Sequence, residues 1–483
     1  MPRKILFTSP VQPIGGCSPD VYSWNKSTSR IKLIMSFINH PGLCFLKANV
    51  PGVDILEYPT WSDFKSALRK PPDTLGISFY INETEIALQM VRYARQQGVK
   101  EVWAGNYGAY SPEVAKHFDR VITGWGEAPA AAALGFAPKK SSEITHPPMY
   151  GCMGTNLFPY LTLHGFLYTS RGCPYTCTFC QTPDFYGEAQ TVSLETIEQV
   201  LWTYSKHGIA TANILDENFG IFPKHTREVI HLLKKYRMRW IPLCRVDLLL
   251  KHLEEWKEHG LFGAHIGVET LNPSSLKGSD KKLERGKSVE LLRLMSKNHL
   301  IVQAFYIIGF EEDTVDSIRQ DIEELAALDV DITQVQIVTP YPRTVLRDAI
   351  NQRYGIIDSN LSKYNSRNLV WRHPNIDPGE IKQLQEWAHT RLFTSSRALR
   401  TISKMLVFDC TQKVAIRGVS RMARSRKSLT LYRANRRGLK NAKKWAKQGW
   451  YAYDEVENHQ ITNLETIHRL RSLSKEVGCL SGR

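Results

Sequence analysis

The sequence has no run of eighteen apolar residues, which excludes a transmembrane helix. Nor is there an apolar core behind its first residues. MPRKILFTSPVQP passes straight into turn formers, so no secretory signal is expected. Low-complexity tracts are absent, and 42% hydrophobic with 23% charged residues is a globular composition. Nine cysteines, an odd number scattered over 483 residues without pairing pattern, argue against a disulfide framework. They favour a reducing, cytoplasmic setting in which clustered thiols are metal ligands. Net charge is also missing from most of the chain. Residues 391–450 hold 17 Lys/Arg and one acidic residue, Asp409, and account for the whole formal charge of +16. The remaining 46 basic and 46 acidic residues balance.

What is present is alternation. A chain of this length exceeds one ordinary core, so two or three domains are expected. Over residues 1–135, KILFTS, TLGISFY, EVWAG and RVITG read as strands. Between the second and third, Ile86, Met90, Val91 and Ala94 recur at helical spacing before a stop at Gly98. This predicts an α/β domain with a Rossmann-like parallel sheet, whose ligands bind at the carboxyl ends of the strands. Residues 136–160, rich in Pro, Gly and Ser, read as a linker. Residues 161–355 carry six further βα units (GFLYTS, TANILDE, WIPLCRV, GAHIGVE, VQAFYIIGF, ITQVQIVTP), which fit a partial (β/α)6 TIM-like barrel. Period two places His265, Gly267 and Glu269 on one strand face, and Gln334 with Gln336 on another. From 356 to 483 the reading is helical and basic. There Asp377, Pro378 and Glu380 form a capping box that opens a helix.

Just past the first barrel strand lies RGCPYTCTFC, with Cys173, Cys177 and Cys180 and no fourth cysteine. Thiolates suit zinc or iron–sulfur sites. Structural zinc needs a fourth ligand, and His164 and His207 are the nearest candidates, though neither is at motif spacing. A cubane cluster normally takes four cysteines, so three would leave one iron open to a substrate or cofactor.

Cys-x3-Cys-x2-Cys with Phe179 before the last cysteine resembles the signature of the radical S-adenosylmethionine (SAM) enzymes. The resemblance implies that Cys173, Cys177 and Cys180 hold a [4Fe–4S] cluster whose open iron chelates SAM. It implies reductive cleavage to a 5′-deoxyadenosyl radical in a closed site, with a flavodoxin or ferredoxin as electron donor. Asp216 and Glu217 in LDENFG, and Gly309 in IIGFEEDT, stand where the family contacts SAM. Arg245 (with Asp247) and Glu269, at the third and fourth strand ends, are the candidate catalytic residues. TPYPRT resembles the family's Pro-x-Pro-Gly-Thr segment, with Arg343 in place of glycine.

The first domain resembles the cobalamin-binding domain of one branch of that family. Ser78, Gly105, Gly124 and Gly126 would line the pocket for the nucleotide tail. Asn106 replaces a second glycine, and the Asp-x-His-x-x-Gly motif is absent, so no histidine from that motif would hold cobalt. A cofactor-free domain is the alternative. The implied reaction is cobalamin-dependent C-methylation of a small-molecule or lipid-like, hydrophobic or membrane-associated substrate. Two other readings stand beside it. One is a methylthiotransferase acting on tRNA or protein, with Cys17, Cys44 and Cys152 as a second cluster. The other is a non-catalytic iron–sulfur scaffold. The basic C-terminal region, with Leu399, Ile402, Met405, Leu406, Leu439, Trp445 and Trp450 among its cations, suits an anionic membrane surface. It also suits RNA phosphates, or a helix packed on the barrel. The membrane is preferred over nucleic acid by analogy with relatives that act on lipids or pigments, giving a cytoplasmic protein peripheral to a membrane.

Overall fold

The structure, a computed structural model, describes residues 3–12, 33–155 and 161–410. The basic stretch beyond 410 and Cys17 lie outside the described residues. Among the described residues the strands are β1 (Ile5–Thr8), β2 (Leu33–Phe37), β3 (Val53–Leu56), β4 (Thr74–Ser78), β5 (Glu101–Gly105), β6 (Arg120–Ile122), β7 (Met149–Thr155), β8 (Leu161–Leu167), β9 (Ser170–Arg171), β10 (Gln190–Thr191), β11 (Thr211–Ile214), β12 (Arg239–Cys244), β13 (Gly263–Glu269), β14 (Ile301–Ile308) and β15 (Ile332–Ile337).

Five strands form a parallel sheet in the order β3-β1-β4-β5-β6. Both β3 and β4 pair with β1, so the winding reverses at β1, the doubly wound arrangement that opens a crevice at the carboxyl edge. Ile86, Met90, Val91 and Ala94 of the helix Thr84–Gln96 are buried on one face, as their spacing indicates. Leu43 of Pro41–Asn49 and Ala130 of Glu127–Ala133 cover the other.

The second sheet runs β15-β14-β13-β12-β11-β8-β7-β2. Its six strands β8 and β11–β15 are parallel and make the partial barrel, with crossover helices packed outside them in the main core. Trp240 and Trp256, both fully buried, meet Phe219 edge-on in that outer layer. Each contributes on the order of 5 kcal/mol of gross apolar burial. Within the segment read as a linker, residues 149–155 form β7, and β2 crosses over from the first 135 residues. Both add antiparallel beside β8. The physical reason is the unpaired edge that β8 would otherwise present.

The helix Pro378–Leu392 opens with the expected box, Asp377 accepting from the backbone N–H of Gly379 and Glu380. The next helix, Ser395–Cys410, closes the floor of the barrel. Met405 packs on Ile241, Phe262 and Ile301, and Ile402 on Ile332 and Phe393. Two of its cations are neutralised locally, and Arg397 donates to the Leu392 and Ala326 carbonyls. Lys404 pairs with buried Asp331 at 2.8 Å, and Arg400 with Asp329. The start of the basic region is therefore docked on the barrel, while Leu399 stays 52% exposed. Among the described residues no helix is long and apolar enough to cross a membrane.

Candidate active site at the barrel rim

β9 pairs antiparallel with β10 and closes a loop that carries the three cysteines and the short helix Thr182–Tyr186. All three thiols are free and half-buried. The loop is tied down across the barrel mouth. Thr178 N–H donates to the Ser279 carbonyl (3.1 Å), the Thr178 carbonyl accepts from Leu346 N–H (2.9 Å), and the Gln181 amide donates to the Pro342 carbonyl (2.9 Å). Gly172, at φ +85°, gives its N–H to Glu217 at 2.8 Å, and a Cβ there would meet the Ala189 Cα at 3.1 Å. A glycine is required at that entry. Phe179 packs against Phe310, two residues past the end of β14, with ring centroids 6.2 Å apart.

Burial pushes the Cys177 thiol up to about 11, and the nearby Lys281 and Arg245 work against it. Cys173 is also raised by burial, with Tyr175 N–H and the Asn218 side chain hydrogen-bonding to it in opposition. The Cys180 charge acts on both other thiols, so the three lie within electrostatic range of one another. Among the described residues no three His, Cys, Asp or Glu side chains could hold a single metal ion. His207 instead bonds the Thr203 carbonyl at 2.8 Å. The zinc alternative thus has no fourth ligand there. Three soft donors on one loop, with cations and an amide beside them, fit a cluster in which each thiolate binds its own iron.

The strand ends form one network around this loop. Both oxygens of Asp216 are occupied, accepting from the N–H and hydroxyl of Thr169 and of Ser170 at 2.5–2.9 Å. Asp216 therefore fixes the turn that leads into the cysteines, and burial pushes its carboxyl up to about 7. Arg245 chelates Asp247 (2.9 Å), donates to the Lys281 carbonyl (2.7 Å) and lies 4.0 Å over the Tyr175 ring. Glu269 sits at φ +65°, past a β-bulge that shifts its register between Gly267 and Glu269. It therefore does not simply continue the face of His265 and Gly267. It folds back to meet Lys281, which also donates to the Gly267 carbonyl at 2.6 Å. A Cβ at Gly267 would lie 2.3 Å from the Glu269 carboxylate, so this glycine makes room for the pair. Gly309, at φ +81°, donates to Asp313 at 2.9 Å, and Ile381 occupies the space a side chain would need. Lys281 and Tyr175 carry no motif and were not legible in the sequence.

Opposite the rim stands the carboxyl edge of the five-stranded sheet. Ser78 and Gly105 are register partners at the ends of β4 and β5. Asn106 adopts φ 68°, ψ −177°, a region otherwise nearly reserved for glycine, where the related pattern has glycine. Gly124 (φ +67°) packs on the Phe185 carbonyl, and Gly126 precedes the helix Glu127–Ala133. From that helix Glu127 reaches Arg171 at 2.8 Å, the residue before the cysteine loop. The guanidinium is held between Phe45 (3.8 Å) and Trp125 (4.5 Å). Tyr107 bonds Thr182 (3.2 Å), Tyr110 bonds Asp184, and Arg343 pairs with Asp184 at 3.0 Å. Arg343, the substituted glycine position, thus binds the domain seam.

Tyr80 is 53% exposed, yet burial raises its hydroxyl and the Glu217 charge adds to the rise. Glu217 likewise acts on Tyr107, Tyr168 and Tyr186. Tyr80, Tyr107, Tyr168 and Tyr186 thus gather around Glu217 between sheet edge and barrel rim. Glycine at 105, 124 and 126 keeps the sheet side of that cluster free of side chains, which suits the close approach of a cofactor. His40 is held elsewhere: its Nδ1 accepts from Leu43 N–H at 3.3 Å and its ring packs at a tilt on Tyr58.

Residues 167–325 match the family model for the radical SAM superfamily, so the chain carries a radical SAM domain. An uncharacterized methyltransferase of Pyrococcus horikoshii is 23% identical over 77% of this chain and 91% of its own length. The bacteriochlorophyllide d C-8(2)-methyltransferase of Chlorobaculum tepidum is 22% identical over 63% of this chain and 74% of its own length. Among solved structures, the radical SAM methyltransferase TsrM of Kitasatospora setae, with cobalamin and a [4Fe–4S] cluster bound, superposes with TM-score 0.56. It is 13% identical, covering 80% of this chain and 89% of TsrM. The cobalamin-dependent radical SAM enzyme OxsB superposes with TM-score 0.51 and 13% identity, over 99% of this chain and 84% of OxsB. The expected fold, a Rossmann-like parallel sheet followed by a partial (β/α)6 barrel, is the one found.

Proposed function

We propose that the chain is a cobalamin-dependent radical SAM methyltransferase that methylates an unactivated carbon of a hydrophobic or membrane-associated small molecule. The observation that carries this is the facing of two carboxyl edges. A three-cysteine loop on a six-stranded parallel barrel stands beside the carboxyl edge of a doubly wound sheet, joined to it by Arg171–Glu127 and Tyr107–Thr182. Cys173, Cys177 and Cys180 would hold the [4Fe–4S] cluster, and Ser78, Gly105, Gly124 and Gly126 would line the cobalamin tail. When bound, these groups and SAM supply the electron, the 5′-deoxyadenosyl radical and the methyl group.

The chain's own residues do the rest. Lys281 and Arg245 offset thiolate charge at the cysteine loop, and Asn218 offers Cys173 a hydrogen bond. Glu269, neutralised by Lys281, and Arg245, fixed by Asp247 and Tyr175, are polar rim groups beside that loop and would orient SAM. Phe179 and Gly309 would flank SAM at the fifth strand. Arg171–Glu127 and the Tyr107–Thr182 contact hold the two edges together and keep water out of the space between them. The P. horikoshii and C. tepidum relatives, named as methyltransferases, support the reaction class.

The test is anaerobic reconstitution with iron, sulfide and cobalamin, followed by reduction with SAM. About four irons per chain, a retained corrinoid spectrum and 5′-deoxyadenosine are expected. Cysteine-to-alanine changes at 173, 177 and 180 should abolish all but the corrinoid. About eight irons would favour a methylthiotransferase, and an intact cluster without SAM cleavage would favour a scaffold.

A further inference from the structure

Along β13, β14 and β15 one face packs on the outer helices through Ala264, Ile266, Val302, Ala304 and Val335. The opposite face looks into the barrel. There the parallel register sets His265 beside Gln303, and Gln334 beside Phe305, two residues higher. Each of the three polar side chains ends in a buried atom without a partner: His265 Nδ1, Gln303 Nε2 and Gln334 Oε1. Gln303 itself is only 3% exposed. Buried polar atoms of this kind nearly always have a partner, and leaving one unmade costs about 1–3 kcal/mol.

The missing partner can be described. Burial holds the His265 imidazole down to about 4, so it is neutral, and Gln303 hydrogen-bonds it. With Nδ1 unpartnered, that bond is made through Nε2–H to the Gln303 carbonyl oxygen, which leaves Nδ1 an acceptor. The unpartnered buried atoms of this face are therefore two acceptors, His265 Nδ1 and Gln334 Oε1, and one donor, Gln303 Nε2–H. Within β13, β14 and β15 the one charged residue is Glu269, at the rim. Arg239 lies over Phe262 at the floor beside Met405, and Lys281 neutralises Glu269 at the rim. From His265 to Glu269 the bulge absorbs one residue, since their register partners Gln303 and Tyr306 are three apart, so the rise is about 10 Å of strand.

We infer that this face is the anchoring subsite for the substrate, and that it takes an uncharged carboxamide or its ring equivalent. One C=O would accept from Gln303, and the N–H groups would donate to His265 and Gln334. Resting on the methyltransferase reading, the inference makes the substrate elongated, with its amide end in the barrel and its reacting carbon about 10 Å above, at the rim.

The probes are benzamide, benzoate, benzylamine and acetophenone, titrated calorimetrically into the full-length, cluster-loaded protein. Benzamide should bind at least tenfold more tightly than the other three, and Gln303→Met and Gln334→Met should each cost about tenfold for benzamide alone. Equal binding of the four probes overturns the inference. So does failure of all four to bind, or a benzamide preference that both variants leave intact, since water alone then fills the subsite. The comparison among probes on the unmutated protein stands even where a variant fails to fold. If the unmutated protein cleaves SAM but shows no benzamide preference, only the subsite falls. If it does not cleave SAM, the methyltransferase reading falls whichever probe binds.

Discussion

Arg171→Met isolates the contact that joins the two domains. In the protein the Arg171 guanidinium and the Glu127 carboxylate meet at 2.8 Å, with side chains 8% and 4% exposed. Methionine keeps most of the volume and leaves Glu127 buried without its countercharge, which costs about 3–5 kcal/mol. Loss of the stacking on Phe45 and Trp125 adds about 1 kcal/mol or more. The total expected is about 4–6 kcal/mol. Removing both charges in Arg171→Met/Glu127→Leu should restore stability to within about 2 kcal/mol of the unmutated protein, because the desolvation cost disappears with the pair. The assay is urea unfolding followed by tryptophan fluorescence, for which Trp125 in the stack is a local reporter. Glu127→Leu alone strands Arg171 at a similar cost of about 3–5 kcal/mol, so the double-mutant cycle should return a coupling of at least about 5 kcal/mol. About 0.5 M salt should change it little, since a buried pair is poorly screened. A single variant costing under about 1 kcal/mol, or a double variant no better than Arg171→Met, would refute the reasoning.

Lys404→Ala strips buried Asp331 of its 2.8 Å partner at the barrel floor and should destabilise by about 3 kcal/mol in the same assay. Arg391→Ala, which breaks the exposed pair with Glu323, should cost under about 1 kcal/mol. Gly124→Ala forces an L-residue to φ +67° against the Phe185 carbonyl and should cost more than Gly98→Ala, where φ is +85° but space is open. The difference in urea midpoint between those two variants reads the seam contact. Burial raises Asp216 to about 7 and Asp313 to about 6. The folded state therefore binds more protons than the unfolded one between about pH 4 and those values. Both carboxyls should make stability fall as pH rises through that window and flatten above it. Asp313→Asn should reduce the slope of urea midpoint against pH between 4 and 6, and an unchanged slope would show that Asp313 does not titrate so.

Much of this was written locally in the chain. Three cysteines in eight residues, strand and helix periods, the Asp377–Glu380 cap and the glycine turns are short-range features, set by chemistry within a few residues. They sufficed for the barrel, the doubly wound sheet and the cluster loop. Folding alone decided what meets across long separations. Lys281 reaches Glu269 because a bulge turns that residue back, and Arg171 finds Glu127 because two domains dock. A stretch read as connector becomes β7 because β8 has an open edge to cover. Asp216 illustrates the limit: its position at a strand end was legible, but all its bonding capacity goes to Thr169 and Ser170. Periodicity tells which face a side chain takes, and only packing tells which partner waits there, because burial, desolvation and charge pairing depend on residues far away in sequence.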